Sequence, residues 1–138
     1  MFFSYSENDT IEIGKKLASS LRGGDVISLS GTLGSGKTVF TRGIARGLGI
    51  ENNITSPTFT LLCEYEGTLN LNHMDLYRIS TSEEFEMIGG REIIYSNGVS
   101  VIEWAEKISD YLPDKIIRVN ISITENSCRK ITIDGIEL

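Results

Sequence analysis

Apolar residues along this chain switch repeatedly between the two-residue period of a half-covered strand and the three-to-four-residue period of a helix. Phe2, Phe3 and Tyr5 suggest a short first strand. Over residues 10–21, Ile13, Leu17 and Leu21 recur at helical spacing; Ser6 and Asp9 loosely fit a capping box, and Gly23-Gly24 ends the helix. Ile27 and Leu29 then alternate within the β-rich run 26–30. Phe40, Ile44 and Leu48 repeat every fourth residue, predicting a helix that carries Arg42 and Arg46 on its other side and stops at Gly47-Leu48-Gly49. Residues 60–65 and 68–75 flank Glu66-Gly67 as a hairpin, and 81–88 is an acidic helical segment with Phe85 and Ile88 three apart, stopped by Gly89-Gly90. Glu92-Ile93-Ile94-Tyr95 fits neither period. The run 100–104 reads as a strand covered on both faces, with the acid Glu103 at its end. Residues 115–124 and 128–134 alternate apolar with polar positions across Glu125-Asn126-Ser127, an antiparallel hairpin with one covered face.

Helix-linked strands followed by hairpins predict an α/β fold with a mixed central sheet and helices packed on it. At 138 residues the chain is expected to form one domain, 1–138, around a single sizeable core. A formal charge of −6 argues against strong unaided binding to RNA or DNA, since Lys and Arg supply most non-specific affinity; a partner would hold any nucleic acid. Cys63 and Cys128 stand far apart without metal-type spacing, so neither a disulfide framework nor a zinc site is expected. No basic leader or long apolar run is present, so no membrane association is expected and the expected setting is cytoplasmic.

Candidate chemistry sits between the run 26–30 and the helix after it. Gly31-Thr32-Leu33-Gly34-Ser35-Gly36-Lys37-Thr38 fills the pattern G-x-x-x-x-G-K-[ST], the phosphate loop of nucleoside triphosphatases. Its glycines let backbone N–H groups curl round phosphate, Lys37 reaches the β and γ phosphates, and the Thr38 hydroxyl holds Mg²⁺. The following helix points its N-terminal amides and dipole at the same anion. Gly31, Leu33, Gly34, Ser35, Gly36, Lys37 and Thr38 are therefore candidate ATP-binding residues, in a P-loop NTPase-like three-layer fold with helices on both faces of the sheet and an antiparallel C-terminal hairpin. Thr10 joins them, because the element before the first loop often walls the base pocket in phosphate-binding folds; core packing explains the apolar face of that helix equally well. No N-K-x-D sequence reads guanine, and 138 residues leave little room for the lid and acceptor pocket of a small-molecule kinase.

Further candidates come from the strand ends. Thr58, in the hydroxyl-rich connection 51–60, can lie against a γ-phosphate or help hold Mg²⁺; a plain turn entering a strand fits the same residues. Asp75 and Glu103 each end a strand and compete for the metal side, and spacing does not rank them. His73, the single histidine, is read either as a structural side chain or as a base. Arg78 and Arg91 are candidates for a charge-stabilising arginine.

Taken together, the phosphate loop, Ser56-Pro57-Thr58-Phe59, His73-Met74-Asp75-Leu76-Tyr77-Arg78 and Ile102-Glu103-Trp104 resemble the bacterial TsaE (YjeE) family over nearly the whole chain. That resemblance implies an ATPase of tRNA threonylcarbamoyladenosine synthesis, slow alone and working with the TsaB and TsaD proteins, with tRNA reached through the complex and the free chain monomeric or weakly self-associating. It implies that Lys37 binds the β and γ phosphates, that Thr38 and Glu103 hold Mg²⁺, that Thr58 lies on the γ-phosphate side, and that Asp75 serves hydrolysis. Lys37, Thr58 and Asp75 are thus the expected catalytic group, and Trp104 matches the family's tryptophan beside the nucleotide. Thr32 and Ser35 replace the aspartate and alanine usual in the loop, and Ala105 replaces the proline common after Glu-Trp.

Overall fold

The computed structural model describes the whole chain, Met1–Leu138. Seven strands form one sheet: β1 (Phe2–Ser4), β2 (Val26–Gly31), β3 (Leu62–Tyr65), β4 (Leu71–Asp75), β5 (Val99–Glu103), β6 (Ile117–Ile123) and β7 (Arg129–Asp134). Their order across the sheet is β1-β7-β6-β2-β5-β4-β3. The four central strands β6, β2, β5 and β4 run parallel, β3 and β7 flank them antiparallel, and β1 pairs antiparallel with β7. Four helices connect them: α1 (Glu7–Ala18), α2 (Lys37–Gly47), α3 (Ser82–Met87) and α4 (Gly90–Ile94), with a 3-10 segment over Ala105–Tyr111.

Two apolar layers sandwich the sheet. Ile27, Leu29, Val101 and Val119 face Leu17, Phe40 and Ile44 of α1 and α2, whereas Val26, Met74 and Ile102 face Phe85, Ile94 and Ile108 on the opposite side. This is the mixed, three-layer α/β architecture expected from the periodicities. In β4 and β5 every residue is buried, as strands covered on both faces require. Ile117, Val119 and Ile121 of β6 alternate with exposed Arg118 and Asn120, as a hairpin with one covered face should.

Several expected boundaries move. The first helix runs from Glu7 to Ala18 rather than over 10–21: Ser6 caps it by accepting from Asp9 N at 3.0 Å, Asp9 Oδ2 accepts from Tyr5 N, and the Ser19 hydroxyl takes up the Lys16 carbonyl at its end. Gly14 lets α1 lie close against α2, since a Cβ there would come within 2.6 Å of Phe40 O. Strand β3 begins at Leu62, because Leu61 adopts φ 67° and its N–H donates to Pro57 O. Five residues, Glu66 to Asn70, join β3 to β4 in place of a tight Glu66-Gly67 turn; Thr68 N donates to Leu48 O, docking that loop on the end of α2. Of the undecided stretch 92–95, Glu92 to Ile94 belong to α4 and Tyr95 caps it; the helix starts after Gly89 in the left-handed region.

Candidate functional site

The carboxyl ends of β2, β4 and β5 end together at a cavity of about 1130 Å³, where parallel sheets of this kind bind ligands. Gly31 closes β2, and the loop that follows returns to the start of α2 at Lys37. Gly36, with φ 107°, makes the final turn into the helix, in backbone space that a side chain disfavours. A Ser35 N–H to Thr32 O bond of 3.0 Å tightens the loop. The N–H groups of Gly34, Gly36, Lys37, Thr38 and Val39 meet no acceptor within the chain, and all five residues line the cavity. Unfilled donors at a helix start, with the helix dipole behind them, suit a multiply charged anion.

Lys37 reaches back across the loop, donating to Gly31 O at 2.8 Å and lying 3.5 Å from Glu103 Oε1. Both side chains are largely buried, 18% and 7% exposed, so water and salt screen this pair less than a surface pair. Glu103 Oε2 faces His73 Nε2 at 3.2 Å. With a carboxylate opposite, the tautomer that carries the proton on Nε2 fits. His73 is fully buried and its Nδ1 has no partner, so it stands behind Glu103 and does not line the cavity.

Asp75 lies beside Glu103 because β4 and β5 pair in register at those two residues. Its Oδ2 accepts from Thr58 Oγ1 at 3.1 Å and its Oδ1 from Tyr77 N at 3.0 Å, which hold the carboxylate in one orientation. Ser56 Oγ lies 2.7 Å from Thr58 Oγ1, and Asp75 N donates to Leu61 O, so the connection 56–61 is fastened to the end of β4. Thr58 thus joins this connection to the strand-end acid. Both acids border the cavity, Glu103 on the lysine side and Asp75 on the threonine side. The Thr38 hydroxyl makes no hydrogen bond within the chain. No cluster of three or more Asp, Glu, His or Cys could hold a metal unaided. A cation that keeps its waters and relies on phosphate oxygens needs only one or two carboxylates, so Thr38 with Glu103 or Asp75 fits Mg²⁺.

Trp104 leaves the end of β5 at φ 65°, outside the strand that the run 100–104 suggested. Its ring packs against Tyr77 at 5.2 Å between centroids, with Lys107 Nζ over both rings. Leu76 N also donates to Glu103 O, so the segments after the two acids are joined. Leu33 lines the cavity but points to solvent, 98% exposed. On the opposite wall Thr10 is buried, its hydroxyl 2.6 Å from Ser4 Oγ, so it shapes the wall with its polar atom already engaged. Neither candidate arginine lines the cavity: Arg78 lies over the Phe59 ring and Arg91 pairs with Glu86. Arg129, which the sequence reading did not single out, does line it, donating to Ser35 O and Gly34 O. The available signal was an arginine on the covered face of an alternating strand, two residues before buried Ile131.

Known proteins resemble this chain in sequence and fold. The model of the family described as "Threonylcarbamoyl adenosine biosynthesis protein TsaE" matches residues 4–131. A "tRNA threonylcarbamoyladenosine biosynthesis protein TsaE" of Treponema pallidum is 44% identical over 130 residues, covering 94% of this chain and 96% of the relative. One of the same name from Bacillus subtilis is 41% identical over 129 residues, covering 93% and 80%. The crystal structure of Bacillus subtilis YdiB superposes with a TM-score of 0.75 at 35% identity, covering 96% of this chain and 82% of that one.

Proposed function

This chain belongs to the TsaE family of threonylcarbamoyl adenosine biosynthesis proteins, and on that premise we propose that it is an ATP hydrolase that drives tRNA threonylcarbamoyladenosine formation together with TsaB and TsaD. The observation that carries this reading is one cavity lined by unfilled loop amides, the Lys37 ammonium and two strand-end carboxylates. In it, the loop amides and Lys37 take the β and γ phosphates, Lys37 exchanging its contact with Gly31 O for phosphate oxygens. Thr38 and Glu103 would hold Mg²⁺, which would neutralise phosphate charge. His73 keeps Glu103 directed at the lysine side. Thr58 and Asp75, already hydrogen-bonded, border the γ-phosphate and orient the attacking water. The Trp104–Tyr77 pair closes the wall beside the nucleotide.

Slow turnover by the free chain follows from the arginines. Arg129 is the one arginine that lines the cavity, and its fork is occupied by loop carbonyls, so no free guanidinium faces a leaving phosphoryl group there. Such a group supplied by a partner is worth about 10³ to 10⁵ in rate. TsaB and TsaD would therefore raise hydrolysis. With its charge of −6 the chain would reach tRNA only through them, in the cytoplasm. No helix here is long and apolar enough to cross a membrane.

Reconstituted tRNA threonylcarbamoylation tests the reading. Many rounds should require this chain, and neither Lys37→Ala nor Glu103→Ala should replace it. Undiminished multiple-round modification by either variant would refute an ATP-driven role.

A further inference from the structure

We propose that Arg129 is a positioning residue that sets the phosphate loop in its binding shape and makes the tip of the C-terminal hairpin part of nucleotide binding. The proposal rests on the nucleotide reading above. Arg129 opens β7, next to β1 at Ser4 and β6 at Ile123. Its guanidinium is used on both edges. Nε donates to Ser35 O at 2.9 Å and Nη2 to Gly34 O at 3.2 Å, two successive carbonyls of the loop; Nη1 donates to Ser127 O at 2.9 Å. Only a planar fork spans such a pair of acceptors from one side chain.

What the fork holds is the outer side of the loop. Within a trans peptide the N–H points away from the C=O, so fixing the Ser35 carbonyl outward aims the Gly36 N–H at the opposite side. That N–H is one of the unfilled donors of the cavity. Fixing the Gly34 carbonyl likewise orients the Ser35 N–H that closes the turn with Thr32 O. Gly34 and Gly36 have φ of 80° and 107°, and a Cβ at either would touch nothing. That side of each glycine is open space, so the Arg129 contacts hold the loop from its carbonyl side. Arg129 also forms no ion pair, so its charge stands uncompensated beside the cavity.

The third contact ties the clamp to the hairpin tip. Ser127, at φ 62°, donates through its N–H to Thr124 O, and Thr124 N donates to Cys128 O, so the tip is a closed turn. Displacing that turn moves Arg129 and releases the loop. A protein that presses on the hairpin tip would thereby change nucleotide affinity from the rim of the cavity, which Ser127 and Arg129 line.

The test compares the full chain with Arg129→Met, which keeps the side chain's length without its donors, and Arg129→Lys, which keeps the charge without the fork. Calorimetric titration with Mg-ATP is expected to show affinity reduced about tenfold in both variants, the scale of losing one hydrogen bond from a charged donor. Amide hydrogen exchange of the nucleotide-free chain should quicken over residues 34–37 in Arg129→Met while the sheet strands keep their protection. Wild-type affinity and unchanged loop exchange in Arg129→Met would overturn the proposal. So would wild-type affinity in Arg129→Lys, because charge alone would then suffice; that variant decides the matter if the methionine form does not fold. Failure of the wild type to take up Mg-ATP would instead overturn the nucleotide reading, and faster loop exchange in Arg129→Met would still support the clamp.

Discussion

Lys37 and Glu103 illustrate how much a single side chain's surroundings decide. An ammonium held between a loop carbonyl and a carboxylate is already desolvated and placed, so a phosphate replaces existing contacts and does not have to order a free side chain. Truncating it in Lys37→Ala should lower Mg-ATP affinity by about two orders of magnitude, given the worth of hydrogen bonds to charged groups. Glu103→Gln keeps the shape and a partner for His73 but loses a charge. It should retain nucleotide binding in calorimetry while slowing phosphate release at least about tenfold in a single-turnover assay. Equal losses in both measurements would contradict the division of roles. The Gly31–Thr38 pattern was legible from spacing because a backbone turn built to take phosphate requires glycine, lysine and hydroxyl at defined intervals. The sequence left Asp75 and Glu103 unranked. Which one faces the lysine depends on the neighbouring strands and on His73, which approaches from thirty residues away and is buried behind Glu103.

At the scale of elements, local chemistry has measurable consequences. The Ser6 hydroxyl satisfies an otherwise free amide of α1, so Ser6→Ala should cost about 1 kcal/mol, read as a lower urea midpoint with an unchanged slope. On β3, burial raises the Tyr65 phenol above its usual value, with Cys63 adding to the shift and Thr55 opposing it. A group raised on folding stabilises the native state below its unfolded value and loses that contribution as pH climbs through the folded one. Stability should therefore fall above about pH 10, and Tyr65→Phe should reduce that alkaline loss in urea melts. Helices and strands with strong periodicity were readable; their ends were not. The start of β3 depends on the left-handed Leu61, and the β3–β4 loop takes its length from docking on the end of α2. The 3-10 segment Ala105–Tyr111 follows no simple period, and its place depends on Ala105 and Ile108 packing under the sheet.

For the whole molecule, what matters is that strands distant in sequence become neighbours. β2 lies between β6 and β5, and β7 pairs with β1, so the first and last strands together form one flank of the cavity. Strand order cannot be read from periodicity, which specifies which face a strand covers and not which strand lies beside it; Arg129 escaped notice for that reason. The same geometry explains why the chain is expected to hydrolyse slowly alone. Phosphate release should rise by about 10³ or more when TsaB and TsaD are added, with no such rise for Lys37→Ala. The central claim is that this loop grips the phosphates of ATP, and direct calorimetric titration of the purified chain with Mg-ATP tests it. A saturable heat with one site per chain, with affinity about a hundredfold weaker in Lys37→Ala, is the predicted result; no heat from the wild-type chain, or equal affinities in the two proteins, would contradict it.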